Sequence, residues 1–301
     1  MPLGHALLAL AVVAVWGTNF AIIRIALDEM PPLTLATLRF VFALLPAALI
    51  LPRPAVPWRD LAAYGVLIGA GQFGLLFVAM RGHISPGLAS LVVQTQVFFT
   101  IGLAMLATRG TAHPERPRAF QLVALVLAAA GLLTIALNLD TRAITHPTTP
   151  LGVLMVLAAA FCWAAGNLVS RRAGRVNMLA YVVWASLFSV PPLLGLALLL
   201  EGPERMLHGI THAGWPTWAA VLWQSVGNTL FGYAAWGWLL LRHPAPTVVP
   251  WALLVPVFGL VTSALWLGEP LPGWKIGATA LVVGGLALNL WWPALRGWLR
   301  R

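Results

Sequence analysis

Long apolar runs, separated by short segments with proline, glycine and charge, follow one another along this chain. A helix that crosses the roughly 30 Å hydrocarbon core of a bilayer needs about 20 residues, and these runs have that length. No stretch alternates apolar and polar residues over the length of a barrel strand, which favours helices. The pattern predicts ten transmembrane helices, at residues 4–27, 33–52, 61–80, 86–108, 119–139, 151–172, 178–200, 215–241, 245–268 and 273–295.

Composition agrees with this pattern. Of the 301 residues, 60% are hydrophobic and 9% are charged, and the mean hydropathy is +0.88, whereas soluble domains carry about 25% charged residues. The first apolar run has no preceding basic segment and exceeds the roughly 7–15 apolar residues of a signal peptide, so we expect it to stay as the first helix. The sequence therefore predicts an all-α integral membrane protein.

The net charge of +10 comes from basic residues spread along the chain rather than from a dense run. Basic loops that face the cytoplasm explain this distribution better than nucleic-acid binding does. If both termini lie in the cytoplasm, most arginines fall on the cytoplasmic side. The opposite side then holds only Arg24, Arg39, Arg81, Arg142, Arg205 and Lys275. The one cysteine, Cys162, lies in an apolar run and is expected to be a small packing residue.

The two halves of the chain look related. WGTNFAIIR (16–24) is similar to WAAGNLVSR (163–171), and SPGLASLVVQTQVFFTIGLAML (85–106) is similar to APTVVPWALLVPVFGLVTSALW (245–266). A half with an odd number of helices must insert its copy upside down, which predicts an inverted-topology repeat. We expect a first five-helix repeat at residues 1–140, a linker at 141–150, and a second, inverted repeat at 151–301.

Four segments carry a resemblance to a known family: WGTNF in the first helix, Arg39 in TLRF, GLASLVVQTQVFFTIGLAML in the fourth helix and PVFGLVTSALWLGEPL in the ninth. Over nearly its whole length the chain resembles the drug/metabolite transporter superfamily, in its ten-helix form with two EamA-type halves. The run ASLVVQTQVFFTI is most similar to bacterial exporters of amino acids and derivatives, including aromatic amino acids, cysteine and O-acetylserine. In two places the halves differ, since Gln96 stands where the second half has Pro256, and Thr108 with Arg109 stand where it has Gly268 with Glu269.

The resemblance implies two inverted five-helix repeats around a central cavity, in a multi-pass protein of the bacterial inner membrane. It also implies a monomer that exports amino acids or related small metabolites by alternating access, with membrane lipid and the substrate as its partners. Nothing in the family pattern or in the histidine and cysteine positions calls for a cofactor or a metal.

Polar side chains within the predicted helices are the candidate site, because an unsatisfied polar group in lipid costs roughly 2–7 kcal/mol and must face a partner or a wet cavity. Trp16, Asn19 and Phe20 in the first helix match Trp163 and Asn167 in the sixth. These residues form a wall of the cavity in one interpretation. In the alternative, the asparagines make interhelical hydrogen bonds that contribute about 0.6 kcal/mol, and the tryptophans lie at the membrane interface.

Three further helices carry candidates. The eighth has a polar stripe with Gln224 and Asn228, the third has Gln72 and Phe77 near a glycine seam, and the ninth has Trp251 beside Pro250. The predicted substrate-binding residues are therefore Trp16, Asn19, Phe20, Gln72, Phe77, Gln96, Trp163, Asn167, Gln224, Asn228 and Trp251.

Gln94 and Gln96 lie together in the fourth helix. At about 100° per residue they point about 200° apart, so we expect only one of them to face a narrow cavity. Gln96 is predicted to face it, and Gln94 is predicted to bond a neighbouring helix, with Gln72 as a candidate partner.

Every acidic residue falls at a predicted helix end or in a loop. A cationic drug or an obligatory proton switch would call for a carboxylate within the membrane, so the sequence predicts a neutral or zwitterionic substrate. A multidrug or metabolite efflux permease remains the alternative. A membrane-embedded enzyme is a distant one, because the histidines lie at helix ends and in loops, without the clustered acids or bases of a catalytic site.

Overall fold

The computed structural model describes residues 1–109, 118–140, 147–174 and 176–299, and these residues are almost entirely helical. Ten long helices occur among them. They are α1 (Leu3–Ala26), α2 (Pro32–Leu44), α3 (Trp58–Met80), α4 (Pro86–Ala107), α5 (Ala119–Leu137), α6 (Pro150–Arg171), α7 (Met178–Leu200), α8 (215–242), α9 (245–267) and α10 (Gly273–Leu299). Short helices, Ala47–Ile50 and Pro203–His212, follow α2 and α7.

Nine of the predicted helices match one of these ten to within a few residues at each end, but the predicted helix 33–52 is too long, because α2 ends at Leu44 and a separate short helix, Ala47–Ile50, follows it. Nine of the described segments are long and apolar enough to cross a membrane, so the all-α membrane fold is confirmed. The remaining one, α8, carries Gln224, Ser225, Asn228 and Thr229 in its middle, which lower its mean hydropathy. The exact count of ten spans therefore stays a prediction, and most of the predicted linker, residues 141–146, lies outside the described part of the chain.

Four helices depart from regular α-helix near their middle or start. α3 and α8 each contain a π-helical segment, Leu67–Gly74 and Trp223–Phe231. α4 contains a 3₁₀ turn at Val93–Thr95, and α9 has one at Val249–Leu254. Pro250 explains the last, because proline cannot donate a backbone hydrogen bond. π-helical segments occur frequently at functional sites.

The helix pairs that pack together define the bundle. α1 packs on α8 and α9, α6 packs on α3 and α4, α2 packs on α7, and α5 packs on α10 at the edge of the molecule. The start of α1 meets the end of α8 through His5 and His243, while the start of α2 meets the end of α7. We refer to the first of these ends as the termini side and to the other as the far side.

Two glycines permit this packing. A Cβ on Gly17 of α1 would lie 2.4 Å from the Cβ of Phe258 and 2.6 Å from the carbonyl oxygen of Val255 in α9, so only glycine allows this close crossing. Gly268 ends α9 in the left-handed conformation with φ of 65°, as glycines at helix ends commonly do. The turn that follows directs Glu269 toward the start of α4.

Candidate functional site

A central cavity of about 1160 Å³ is lined by eight of the ten long helices, all except α5 and α10. That volume is slightly above the roughly 300–1,000 Å³ of typical small-molecule sites. Aromatic, amide and aliphatic side chains form its wall. The cavity therefore offers apolar contact together with a small number of hydrogen-bonding groups.

The structure brings most of the predicted substrate-binding residues to this cavity. The lining includes Trp16, Asn19, Phe20, Gln72, Gln96, Trp163, Asn167 and Asn228. Three others lie elsewhere. Phe77 is fully buried and packs edge-on against Phe73, Gln224 is fully buried within α8, and Trp251 packs on the small cluster of Ala9, Leu239 and Val248.

Gln94 and Gln96 both line the cavity, so the expectation that only one could face it is wrong. The 3₁₀ turn at Val93–Thr95 changes the angle between them, and the cavity is wide. Gln96 accepts hydrogen bonds from Asn167 Nδ2 at 3.0 Å and from Thr100 Oγ1 at 3.3 Å. Gln96 thus bonds a neighbouring helix, the role that was predicted for Gln94, and no described hydrogen bond joins Gln94 to Gln72.

The two π-helical segments hold cavity residues in corresponding places. Gln72 lies in the segment of α3, and Asn228 lies in that of α8. Two side chains donate hydrogen bonds to main-chain carbonyl groups of the α8 segment. Trp16 Nε1 donates to the main-chain oxygen of Asn228 at 3.1 Å, and Thr229 Oγ1 donates to the main-chain oxygen of Gln224 at 2.9 Å. The amide-bearing part of the wall is therefore fixed by contacts between α1 and α8.

Aromatic rings cover much of the same wall. The indole of Trp16 lies 5.9 Å from the ring of Tyr233 and 5.1 Å from that of Trp236, centroid to centroid. Trp163 faces the cavity from α6. Tilted ring pairs at such separations are favourable, and their faces can attract a cation.

Arg39 also lines the cavity, and it was not among the predicted site residues. It is the eighth residue of α2 and is buried, so counting it with the basic residues on the side opposite the termini was wrong. The signal that could have found it was its place well inside the apolar run 33–52, where a charge is expensive. Several other basic residues of that count, including Arg116, Arg142 and Arg175, lie outside the described residues.

The cavity reaches the termini side. Its lining includes Asn177, Met178 and Leu179 at the start of α7, and Leu240 and Leu241 at the end of α8. Toward the far side the lining ends at Ile23 and Leu76, about one turn before the ends of α1 and α3. The cavity is therefore a recess that extends from the middle of the bundle to the termini side.

Three glutamates join helices at the far side, and we refer to them as the carboxylate clamps. Glu201, after α7, accepts hydrogen bonds at the start of α2 from Leu33 N at 2.6 Å and from Thr34 N and Oγ1 at 2.9 and 2.6 Å. An anion at a helix start satisfies free N–H groups and interacts favourably with the helix dipole.

The second clamp, Glu269, follows α9 and binds the start of α4. It accepts hydrogen bonds from Gly87 N at 3.0 Å, from Ser85 Oγ, and from Lys275 Nζ at 2.8 Å. Both Glu269 and Lys275 are buried. This carboxylate therefore holds α4, α9 and α10 together.

The third clamp, Glu29, follows α1 and binds the start of α8. It accepts hydrogen bonds from Gly214 N at 2.8 Å and Thr217 Oγ1 at 2.6 Å. The hydrogen bond from Thr217, followed by that from Gly214, lowers the pKa of Glu29 below its ordinary value. Each clamp thus links the part of the chain before residue 141 to the part after it.

Contacts also join the same two parts at the termini side, among them the hydrogen bond of 3.0 Å from Trp184 Nε1 to the Leu51 oxygen. His5 Nδ1 and His243 Nε2 lie 2.7 Å apart. Desolvation, and then the nearby His5, lowers the pKa of His243, so its neutral form is favoured. This pair lies beside Trp238, whose edge contacts the His5 ring at 4.9 Å between centroids.

Comparisons with known proteins give consistent results. The model of the EamA-like transporter family matches residues 3–137 and 150–291. A Salmonella typhimurium protein named "Probable amino-acid metabolite efflux pump" is 38% identical over 288 residues, covering 94% of this chain and 93% of that protein. A protein of the same name from Escherichia coli is 37% identical over 94% of this chain and 93% of its own length.

Two more distant likenesses also span almost the whole chain. A Streptantibioticus cattleyicolor protein named "Probable terminal-alkyne amino-acid exporter" is 26% identical over 96% of this chain and 94% of that protein. A solved crystal structure matches with a TM-score of 0.60 and 20% identity over 96% of this chain and 97% of that one. The similarity to this crystal structure concerns the fold alone.

Proposed function

This chain belongs to the EamA-like transporter family, and from that premise we propose that it exports amino acids or related small zwitterionic metabolites. The observation that carries the proposal is the cavity, whose wall combines amides such as Gln96 and Asn228 with the rings of Trp16 and Trp163. Amides can bind the ammonium and carboxylate groups, and the rings can hold an apolar side chain. The names of the similar bacterial proteins support the same substrate class.

Transport by alternating access is part of this proposal. The recess extends to the termini side, while the three carboxylate clamps hold helices together at the far side. In the proposed cycle the two halves rock about the cavity, so that the clamps separate when the termini side closes. The two ranges that the family model matches, 3–137 and 150–291, correspond to the two predicted inverted repeats and support this division.

We place the protein in the bacterial inner membrane as a monomer with both termini in the cytoplasm. In that orientation the recess faces the cytoplasm, which is the state that takes up a substrate for export. The similar proteins from Gram-negative bacteria support the location. Their names as pumps also support a transporter rather than an enzyme.

The test is flux in liposomes that contain the purified protein. Labelled L-amino acids are offered outside vesicles that are preloaded with the same unlabelled compound. We expect exchange well above that of protein-free vesicles for at least one amino acid. Exchange of none of them, together with transport of cationic drugs, would replace the proposal with multidrug efflux.

Transport without an embedded carboxylate switch is a further element of the proposal. Among the described residues, no acidic side chain lines the cavity, and a proton-coupled site usually places one there. Net uptake into vesicles without internal substrate should therefore be the same with an imposed pH gradient and after a protonophore removes it. Net uptake that collapses when the gradient is removed would contradict the uncoupled mechanism.

A further inference from the structure

Arg39 is a buried positive charge without an anionic partner. Its side chain is 1% exposed, and none of the ion pairs among the described residues includes it. Its Nε and Nη1 have no hydrogen-bond partner, and its Nη2 donates to Thr229 Oγ1 at a long 3.3 Å. An arginine cannot relieve this situation by losing its proton.

The contacts that Arg39 makes contribute less free energy than the burial of its charge costs. Its guanidinium lies 3.6 Å from the ring centroid of Phe73 and 5.4 Å from that of Phe40. Such cation–π contacts are weak, whereas the removal of an ion from water remains costly even after the protein relaxes. The site is therefore short of negative charge.

The position of Arg39 is fixed by neighbouring helices. Ser225 Oγ of α8 donates to its backbone oxygen at 2.9 Å, and Phe73 of α3 covers the guanidinium plane. Arg39 is also part of the cavity lining. Arg39 is thus a cation held in place at the cavity wall, and its unpaired Nε and Nη1 lie just beneath that wall.

We propose that Arg39 binds the carboxylate group of the transported molecule. The guanidinium has five N–H donors in a planar fork that matches a carboxylate, and two of its three nitrogens have no partner. This inference rests on the proposed export function and restricts it, because every good substrate must then carry a carboxylate.

The other end of a zwitterion finds a complementary group. Asn19 Oδ1 is a buried acceptor without a hydrogen-bond partner, and Asn19 lines the same cavity. An ammonium group donates three hydrogen bonds and accepts none. Asn19 therefore suits the ammonium end, but the selection for a carboxylate depends on Arg39.

The experiment compares three molecules that share one apolar group. L-phenylalanine has both charges, 3-phenylpropionate has the carboxylate alone, and 2-phenylethylamine has the ammonium alone. L-leucine, 4-methylpentanoate and 3-methylbutylamine form a second series of the same design. Binding to the purified full-length protein in detergent is measured by calorimetry, and flux is measured in liposomes.

The wild-type protein should bind and move an amino acid and its carboxylate analogue, and it should bind the amine at least about tenfold less tightly. Arg39→Gln should weaken the binding of the amino acid and of its carboxylate analogue by about 10- to 100-fold, since hydrogen bonds to charged groups contribute about 1.5–3 kcal/mol. It should leave the binding of the amine unchanged. Arg39→Lys keeps the charge without the fork and should give a smaller loss. Arg24→Gln, outside the cavity and paired with Asp28, is the matched control.

Each other outcome contradicts a defined statement. If the wild-type protein binds the amine as tightly as the amino acid, Arg39 does not select a carboxylate. The same conclusion follows if Arg39→Gln weakens all three molecules equally. If neither series binds or moves while other amino acids do, the proposal that Arg39 binds the substrate carboxylate is overturned. If no amino acid moves at all, the proposed export function itself fails.

Discussion

Gln96 and Asn167 show how a polar pair can serve both packing and the cavity. The hydrogen bond of 3.0 Å between them joins α4 to α6, and both side chains line the cavity. Gln94 lies in the same wall, but no hydrogen bond to its side chain is found among the described residues. The hydrogen bond between Gln96 and Asn167 therefore contributes to stability, and the Gln94 side chain is left free to bind a substrate.

Leucine substitutions separate these two roles. Gln96→Leu leaves Asn167 Nδ2 without its partner, and we expect the folded protein to lose about 1 kcal/mol of stability. Gln94→Leu should leave stability nearly unchanged and reduce amino-acid exchange. Thermal unfolding in detergent and exchange in liposomes measure the two effects. Equal unfolding temperatures for the two variants would contradict the assignment of the hydrogen bond.

At the residue scale the sequence predicted the composition of the wall better than its geometry. Asn19, Gln72 and Asn228 were found because amides are rare in apolar helices, and they do line the cavity. Arg39 was missed because it was counted with the basic residues on the side opposite the termini, although it lies within the predicted second helix. Whether Gln224 faced the cavity or the packed side of α8 could not be read from helical spacing, because a π-helical segment rotates the residues after it.

At the scale of the helices, the carboxylate clamps explain how the far side is held closed. Two prolines, Pro32 and Pro86, stand at the first position of α2 and α4, where proline is favoured. The N–H groups that follow them are satisfied by Glu201 and Glu269 from helices that are distant in the sequence. These contacts could not be predicted from the sequence, because a glutamate after a helix is equally well explained as a charged residue of a solvent-exposed loop.

Glu201→Gln tests the strength of one clamp. The variant keeps the shape of the side chain but loses its charge and turns one oxygen into a donor that faces the N–H of Leu33 or of Thr34. We expect a loss of about 1–3 kcal/mol in the free energy of unfolding. Glu204→Gln, on the exposed face of the short helix that follows, is the control and should unfold like the wild-type protein. An unchanged unfolding temperature for Glu201→Gln would show that the clamp contributes no stability.

The Glu29 clamp should depend on pH. Because its pKa is lower in the folded protein than its ordinary value of 4.5, its stabilisation is complete above that value and is lost as the pH falls through the folded pKa. The difference in stability between the wild-type protein and Glu29→Gln should therefore shrink below about pH 4.5. Thermal unfolding at a series of pH values measures it. A difference that grows on acidification has the wrong sign for this account.

At the scale of the whole molecule, hydropathy and composition were enough to predict a membrane protein and most of the helix boundaries, the end of α2 at Leu44 being the exception. The lipid-facing surface follows from the same pattern, since exposed leucines such as Leu137, Leu199 and Leu265 need no protein partner in a bilayer. Which side of the bundle is open could not be predicted, because that property depends on contacts between the two halves. The clamps supply this information.

The central claim is that one cavity serves both sides of the membrane and that the clamps close its far side. The most direct measurement is the reaction of a membrane-impermeant thiol reagent with Gln72→Cys, a cavity residue, in a Cys162→Ser background that removes the one natural cysteine. An N-terminal tag identifies the termini side in vesicles of both orientations.

With intact clamps, the new thiol should react only from the termini side. When Glu29→Gln, Glu201→Gln and Glu269→Gln are added together, it should react from the far side as well. Reaction from the far side while the clamps are intact, or no far-side reaction after all three clamps are removed, would contradict the account.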